Sequence, residues 1–220
     1  MDIISLNRVN NLIWLGRYSE RVYTTIKTFF YEYDKMLDDP YFYIQYCERF
    51  QIPNIYDNQE DFIEKYILDD NDTNSIISNL YRAYDNCLVL RNEIGTETIT
   101  YLEMALNNLK DIKDFDSFIL DLQVVIDYIL AFWACLSDTV ENYEVKTVVK
   151  LGRRIERLDL YLRLRKDISD IKKALFLLDD RIKRASVPYA IENYIVLKQM
   201  INDETIDYDK AIYLIESLVD

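Results

Sequence analysis

The sequence predicts an all-α fold: a single-domain helical bundle of about eight helices, with two pseudo-equivalent Leu-Gly-Arg-x-x-Glu-Arg helices at its centre. Three observations predict it. The 220 residues contain only 3 Gly and 3 Pro, too few for the tight turns that an all-β chain of this length requires. Apolar residues recur at helical spacing over long stretches, as expected of helices with one buried face. No linker, low-complexity run or shift in composition divides the chain, so residues 1–220 read as one domain whose short connections suit antiparallel neighbours.

The first helix runs from Ser5 to about Met36, with Leu15, Tyr18, Val22, Ile26, Phe29 and Tyr33 at helical spacing. Asp38-Asp39-Pro40 ends it, because proline lacks a donor and drives its predecessor out of the helical region. Residues 41–70 hold shorter, aromatic-rich pieces broken near Pro53. Asp70-Asn71-Asp72-Thr73 supplies cap candidates for a helix reaching about Asn92; Gly95 punctuates the chain, and a further helix extends to about Lys110. Asp114 or Asp116 can cap the next, roughly Ser117 to Glu141. Its most apolar part, Ile119 to Leu136, is interrupted by Asp121, Gln123 and Asp127 and reads as a buried helix rather than a membrane span. The second motif helix covers about Val145 to Lys166. Stretches near Ser169–Ala185 and Pro188–Met200 follow, with Pro188 suited to a first helical turn, and a last amphipathic helix starts near Asp209.

A net charge of −13 opposes nonspecific attraction to nucleic acids and anionic membranes. Cys47, Cys87 and Cys135 are odd in number and far apart, with neither metal-ligand nor disulfide spacing. A reducing compartment is the simple reading, and with no signal-peptide pattern near the start the cytoplasm is the expected location of a soluble protein. The chain has 0 His, which removes His-based nucleophile arrangements, the usual zinc sites and Glu-x-x-His di-metal bundles. With 3 Gly no phosphate-cradling loop can be written. Neither a metal nor a cofactor is expected.

Aligning the chain on itself so that Gly16 meets Gly152 also matches Val9 with Val145, Leu15 with Leu151, Arg17 with Arg153, Glu20 with Glu156 and Arg21 with Arg157. A glycine inside a helix costs about 0.5–1 kcal/mol relative to alanine, so both copies need a reason, and close approach of another backbone is the usual one. Val9, Ile13, Gly16 and Glu20 share one helix side, as do Val145, Val149, Gly152 and Glu156. Each glutamate therefore continues an apolar row, where an unpaired charge would cost several kcal/mol. The spacing predicts a crossing at Gly16 and Gly152, with Arg17 and Arg21, or Arg153 and Arg157, meeting the other copy's glutamate. Two readings compete: a reciprocal ion-pair lock that sets helix register, or a four-Arg, two-Glu centre whose surplus charge holds a carboxylate or phosphate. Acid–base catalysis by Glu20 or Glu156 is disfavoured, since adjacent arginines lower a carboxyl pKa. A second polar cluster, Arg82, Asp85, Asn86 and Arg91, reads either as an intrahelical Arg82–Asp85 pair or as lining of the motif site.

These residues resemble the alpha-E domain family, bacterial helical proteins of unknown activity with a Glu-Arg motif. Trp14-Leu15-Gly16-Arg17-Tyr18-Ser19-Glu20-Arg21 carries the resemblance, as do Leu151-Gly152-Arg153-Arg154-Ile155-Glu156-Arg157-Leu158-Asp159 and the stretch from Asn74 to Arg91. The resemblance implies a setting: association with circularly permuted ATP-grasp proteins and transglutaminase-like peptidases in a peptide-modification system. On that footing the chain is expected to be a non-catalytic binding or accessory partner. The alternatives are an enzyme or ligand-binding protein with an Arg-rich pocket, and a helical oligomerisation module. The balance leans away from an enzyme, and the oligomeric state is open.

Overall fold

A computed structural model describes residues 5–113 and 118–219. Among these residues the chain forms eleven helices and no strand. In order they are α1 (Leu6–Asp38), α2 (Phe42–Phe50), α3 (Gln59–Leu68), α4 (Ile76–Val89), α5 (Arg91–Ile94), α6 (Thr96–Lys110), α7 (Phe118–Thr139), α8 (Tyr143–Arg163), α9 (Ile168–Ile182), α10 (Ile191–Asn202) and α11 (Tyr208–Glu216). The excess over eight comes from the aromatic-rich segment, which yields α2 and α3, and from a break at Leu90 that sets off α5.

Several boundaries follow from local chemistry. Asp39 is extended, as a residue before proline must be, and its N–H closes α1 on the Lys35 carbonyl. Gly95 takes a φ of 79°, which lets the chain turn from α5 into α6. The cap of α4 lies later than Asp70–Thr73: Ser75 Oγ accepts from the Ser78 N–H at 3.1 Å. Asp72 is otherwise engaged, accepting from the Asn74 N–H at 2.8 Å and the Tyr56 hydroxyl at 2.7 Å. Pro188 does not open α10, which begins at Ile191, because the Ala190 N–H is drawn to the Leu218 carbonyl at 2.9 Å. The expected caps Asp114 and Asp116 lie outside the described residues.

The 33-residue α1 is the spine. It packs most extensively on α8, then on α4, while α7 pairs with α6 and α8 also carries α9 and α11. Near one part of α1 the rings of Tyr33, Tyr46, Phe62, Tyr66 and Phe118 surround Phe29 with centroids 6.0–6.3 Å away, which is what the aromatic-rich residues 41–70 build. By length and composition α7 is apolar enough to cross a membrane; here it buries Leu122, Val125, Ile126, Ile129 and Phe132 in the core.

The two motif helices meet at their glycines. A Cβ on Gly16 would lie 2.1 Å from the Val149 carbonyl oxygen, and one on Gly152 would lie 2.1 Å from that of Ile13. Farther along, Thr24 and Thr28 share a cleft with Tyr161 and Lys166, so α1 and α8 run in the same direction. Sequential neighbours joined by short loops favour the antiparallel arrangement, but six helices separate this pair and return the chain to the same end.

Gly16→Ala and Gly152→Ala are each expected to cost about 3 kcal/mol or more, because the obstacle is backbone that cannot swing aside. Urea unfolding checks this; a Gly16→Ala protein as stable as the parent would contradict the crossing.

Candidate functional site

Just past the crossing, each glutamate reaches the arginines of the other helix. Arg17 Nε donates to Glu156 Oε2 at 2.8 Å, and Arg21 Nε donates to Glu156 Oε1. In the mirror arrangement Arg153 Nε donates to Glu20 Oε2 at 3.2 Å and Arg157 Nε to Glu20 Oε1 at 2.5 Å. Thr24 Oγ1 adds a 3.1 Å bond to Glu20. Both glutamates are 0% exposed, whereas the arginine side chains range from 8% for Arg17 to 30% for Arg21. The carboxylates are the sealed interior and the guanidinium groups form its outer skin.

Electrostatics follow this layering. Burial pushes the Glu156 carboxyl toward the neutral form, but Arg21 and Arg17 outweigh it and hold the group below the usual carboxylate range. Burial also works against the Arg21 cation, yet Glu156 raises its pKa overall. For Arg153 burial prevails over the attraction of Glu20, lowering the guanidinium to about 10, which leaves it a cation at neutral pH.

Aromatic rings complete the skin. The Arg153 guanidinium lies 3.2 Å from the centroid of the Trp133 ring, whose Nε1 donates to Ser19 Oγ at 3.1 Å. Ser19 in turn donates to the Gly16 carbonyl at 3.1 Å, which ties α7 to the crossing. Its counterpart Arg17 lies 4.7 Å from the Trp14 ring, a neighbour on its own helix. A cleft of about 460 Å³ opens on the Trp14 side, lined by Arg17, Arg21, Tyr18 and Arg82 among others. One of about 230 Å³ opens on the opposite copy, with Arg157, Lys27, Lys166, Tyr23 and Tyr161.

The second polar cluster divides. Arg82 does not close an intrahelical pair with Asp85; its Nη1 donates to the Thr73 carbonyl at 3.1 Å, and its guanidinium sits 5.7 Å from the Tyr18 ring. It lines the motif cleft, while Asp85 and Arg91 are exposed and Asn86 bonds back to the Arg82 carbonyl at 2.8 Å.

Two buried carboxylates escaped the sequence reading. Asp159 is fully buried and accepts from Arg163 Nε at 3.1 Å on both oxygens. Burial and the neighbouring Glu156 push it up to about 6. Its spacing carried a signal, since Asp159 and Arg163 are a turn apart and Asp159 follows Glu156 on the buried side. Glu32, 1% exposed, accepts from Lys35 at 2.9 Å and Arg49 at 2.8 Å; its partner on α2 left no local trace. Cys47 and Cys87 are buried small side chains, and burial pushes the Cys47 thiol up to about 12. Among the described residues no group of three or more Cys, Asp or Glu is placed to hold a metal ion.

A family model, Alpha-E, described as a predicted alpha-helical domain with a conserved ER motif, matches residues 7–183, and the chain belongs to that family. Neither a curated protein nor a solved structure matches it.

Glu20→Gln and Glu156→Gln each take the counter-charge from two partly buried arginines at a sealed position and are expected to destabilise the fold by about 3 kcal/mol. A melting temperature near that of the parent would instead favour a catalytic carboxylate. Asp159 gives a second expectation. Its folded pKa of about 6 lies above the usual aspartate value of about 3.9. Between these values the folded chain binds the extra proton, so the group's contribution to stability falls as pH rises through that window. The stability of the parent relative to Asp159→Asn is therefore expected to decline from pH 4 to pH 7, as read by urea unfolding; a relative gain over that range would refute the raised pKa.

Proposed function

We propose that this Alpha-E family member is a non-catalytic binding or accessory protein. One observation carries the reading: both motif glutamates are 0% exposed and each is bonded by two arginine Nε atoms. A general acid or base must reach the proton it moves and must hold that proton near neutral pH. Glu156 is held ionised by Arg21 and Arg17 despite its burial, and neither glutamate meets solvent. The motif is a register lock, and what it offers to other molecules is its arginine exterior.

The setting we propose is a peptide-modification system with a circularly permuted ATP-grasp protein and a transglutaminase-like peptidase as partners, in the cytoplasm and without nucleic acid or membrane. The resemblance of the two Glu-Arg segments supports the setting, and the chain's net charge of −13 disfavours polyanionic partners. A single domain over residues 1–220 is part of this reading, supported by the single cluster that its buried apolar residues form. A second reading, a ligand-binding protein for a carboxylate or phosphate, is favoured by the cleft in which Arg17, Arg21 and Arg82 meet.

Co-expression with the ATP-grasp protein of the same organism tests the accessory role. A complex that survives gel filtration and changes the partner's turnover is the expected outcome. No complex and unchanged turnover would overturn it.

A further inference from the structure

We propose that the cleft between α1, α4 and α11 is a binding site for a small monocarboxylate that carries an apolar or aromatic group. The inference rests on the ligand-binding reading and names its ligand class.

The wall of the cleft is a continuous stack. Arg17 lies over Trp14 at 4.7 Å, the Trp14 and Tyr18 rings stack at 5.1 Å with an interplanar angle of 29°, and Arg82 lies over Tyr18 at 5.7 Å. Two cations thus bracket an aromatic pair, and Arg21 lines the same cleft. Each is held from behind: Arg17 and Arg21 by Glu156 through Nε, and Arg82 by the Thr73 carbonyl. Side chains anchored in this way lose little freedom when a ligand arrives.

Charge accounting leaves a surplus. Glu156 supplies one negative charge behind Arg17 and Arg21, and Arg82 is bonded to a neutral carbonyl. Glu216 of α11, at the rim, shares Arg163 with the buried Asp159, so Arg17, Arg21, Arg82 and Arg163 face three carboxylates and one positive charge is left over. With Nε taken by Glu156, the outer edges of Arg17 and Arg21 are left to meet a planar pair of oxygens, the geometry a carboxylate presents. Glu216 on the rim and the overall charge of −13 penalise a second negative charge on the ligand. Trp14, 41% exposed, together with Ile13 and Val219, provides the apolar surface for the rest of the molecule. A volume near 460 Å³ lies in the range of small-molecule sites.

Calorimetric titration of the full chain at low salt with 3-phenylpropionate, its primary amide and inorganic phosphate tests the proposal. Saturable 1:1 binding of the carboxylate is expected, with none for the amide and at least tenfold weaker binding for phosphate. Arg82→Met should weaken the carboxylate about tenfold, as the loss of a charged hydrogen bond does, with a near-parental melting temperature, since Arg82 is outside the glutamate exchange. Glu216→Gln should tighten binding by removing a like charge. No saturable binding, or an Arg82→Met protein that binds as the parent does, overturns the site; phosphate binding as tight as the carboxylate overturns the ligand class. A chain that forms a complex with the ATP-grasp protein yet ignores the carboxylate overturns this site alone and leaves the accessory role standing.

Discussion

Two backbones touching at Gly16 and Gly152 are the constraint on which the rest of the molecule depends. Because a Cβ on either residue would fall 2.1 Å from a carbonyl oxygen of the other helix, only glycine lets α1 and α8 come this close. That closeness brings Glu20 and Glu156 within reach of the opposite arginines. Exchanging buried charges gains little over a well-packed apolar contact, because each ion gives up its hydration. Its larger effect is on alternatives. Rotating or sliding one helix would strand a sealed carboxylate among apolar residues, so the exchange selects one register and punishes its neighbours.

The layering that follows decides what chemistry is available. With the carboxylates inside and the guanidinium groups outside, the motif presents cations to solvent although it is balanced by anions beneath. Trp133 and Ser19 tie one arginine layer to α7, while Trp14 and Tyr18 leave the other facing an open cleft. The two halves repeat in sequence but not in surroundings. The pseudo-symmetric core therefore has Arg153 built into the bundle against Trp133, while clefts of unequal size open beside Arg157 and beside Arg17 and Arg21.

Legibility varied with the range of the cause. Pro40 and Gly95 act within a residue or two, and the chain breaks where they stand. The glycine notch and the glutamate rows were visible because they repeat at helical spacing. Ser75 caps α4 in place of the Asp70–Thr73 candidates, since Asp72 is taken by Asn74 and by Tyr56, the latter on a loop whose approach the local sequence does not record. Arg82 was three residues from Asp85 but turned to Thr73 and to the cleft, a choice set by the packing of α4 on α1. Glu32 is buried against Arg49 of α2, and no local pattern records such a pairing.

By itself the sequence determined an all-α chain with two glycine-notched helices, each carrying a glutamate that had to find a cationic partner. Periodicity and the cost of an unpaired buried charge are local matters, readable from spacing. Only the tertiary structure decided that the paired helices run in the same direction, that the glutamates lie sealed beneath their arginines, and that Arg82 and Glu216 arrive at the same cleft from α4 and α11. Those outcomes depend on how helices distant in the chain share one core. That balance is struck among many packing contacts at once, and no single segment contains it.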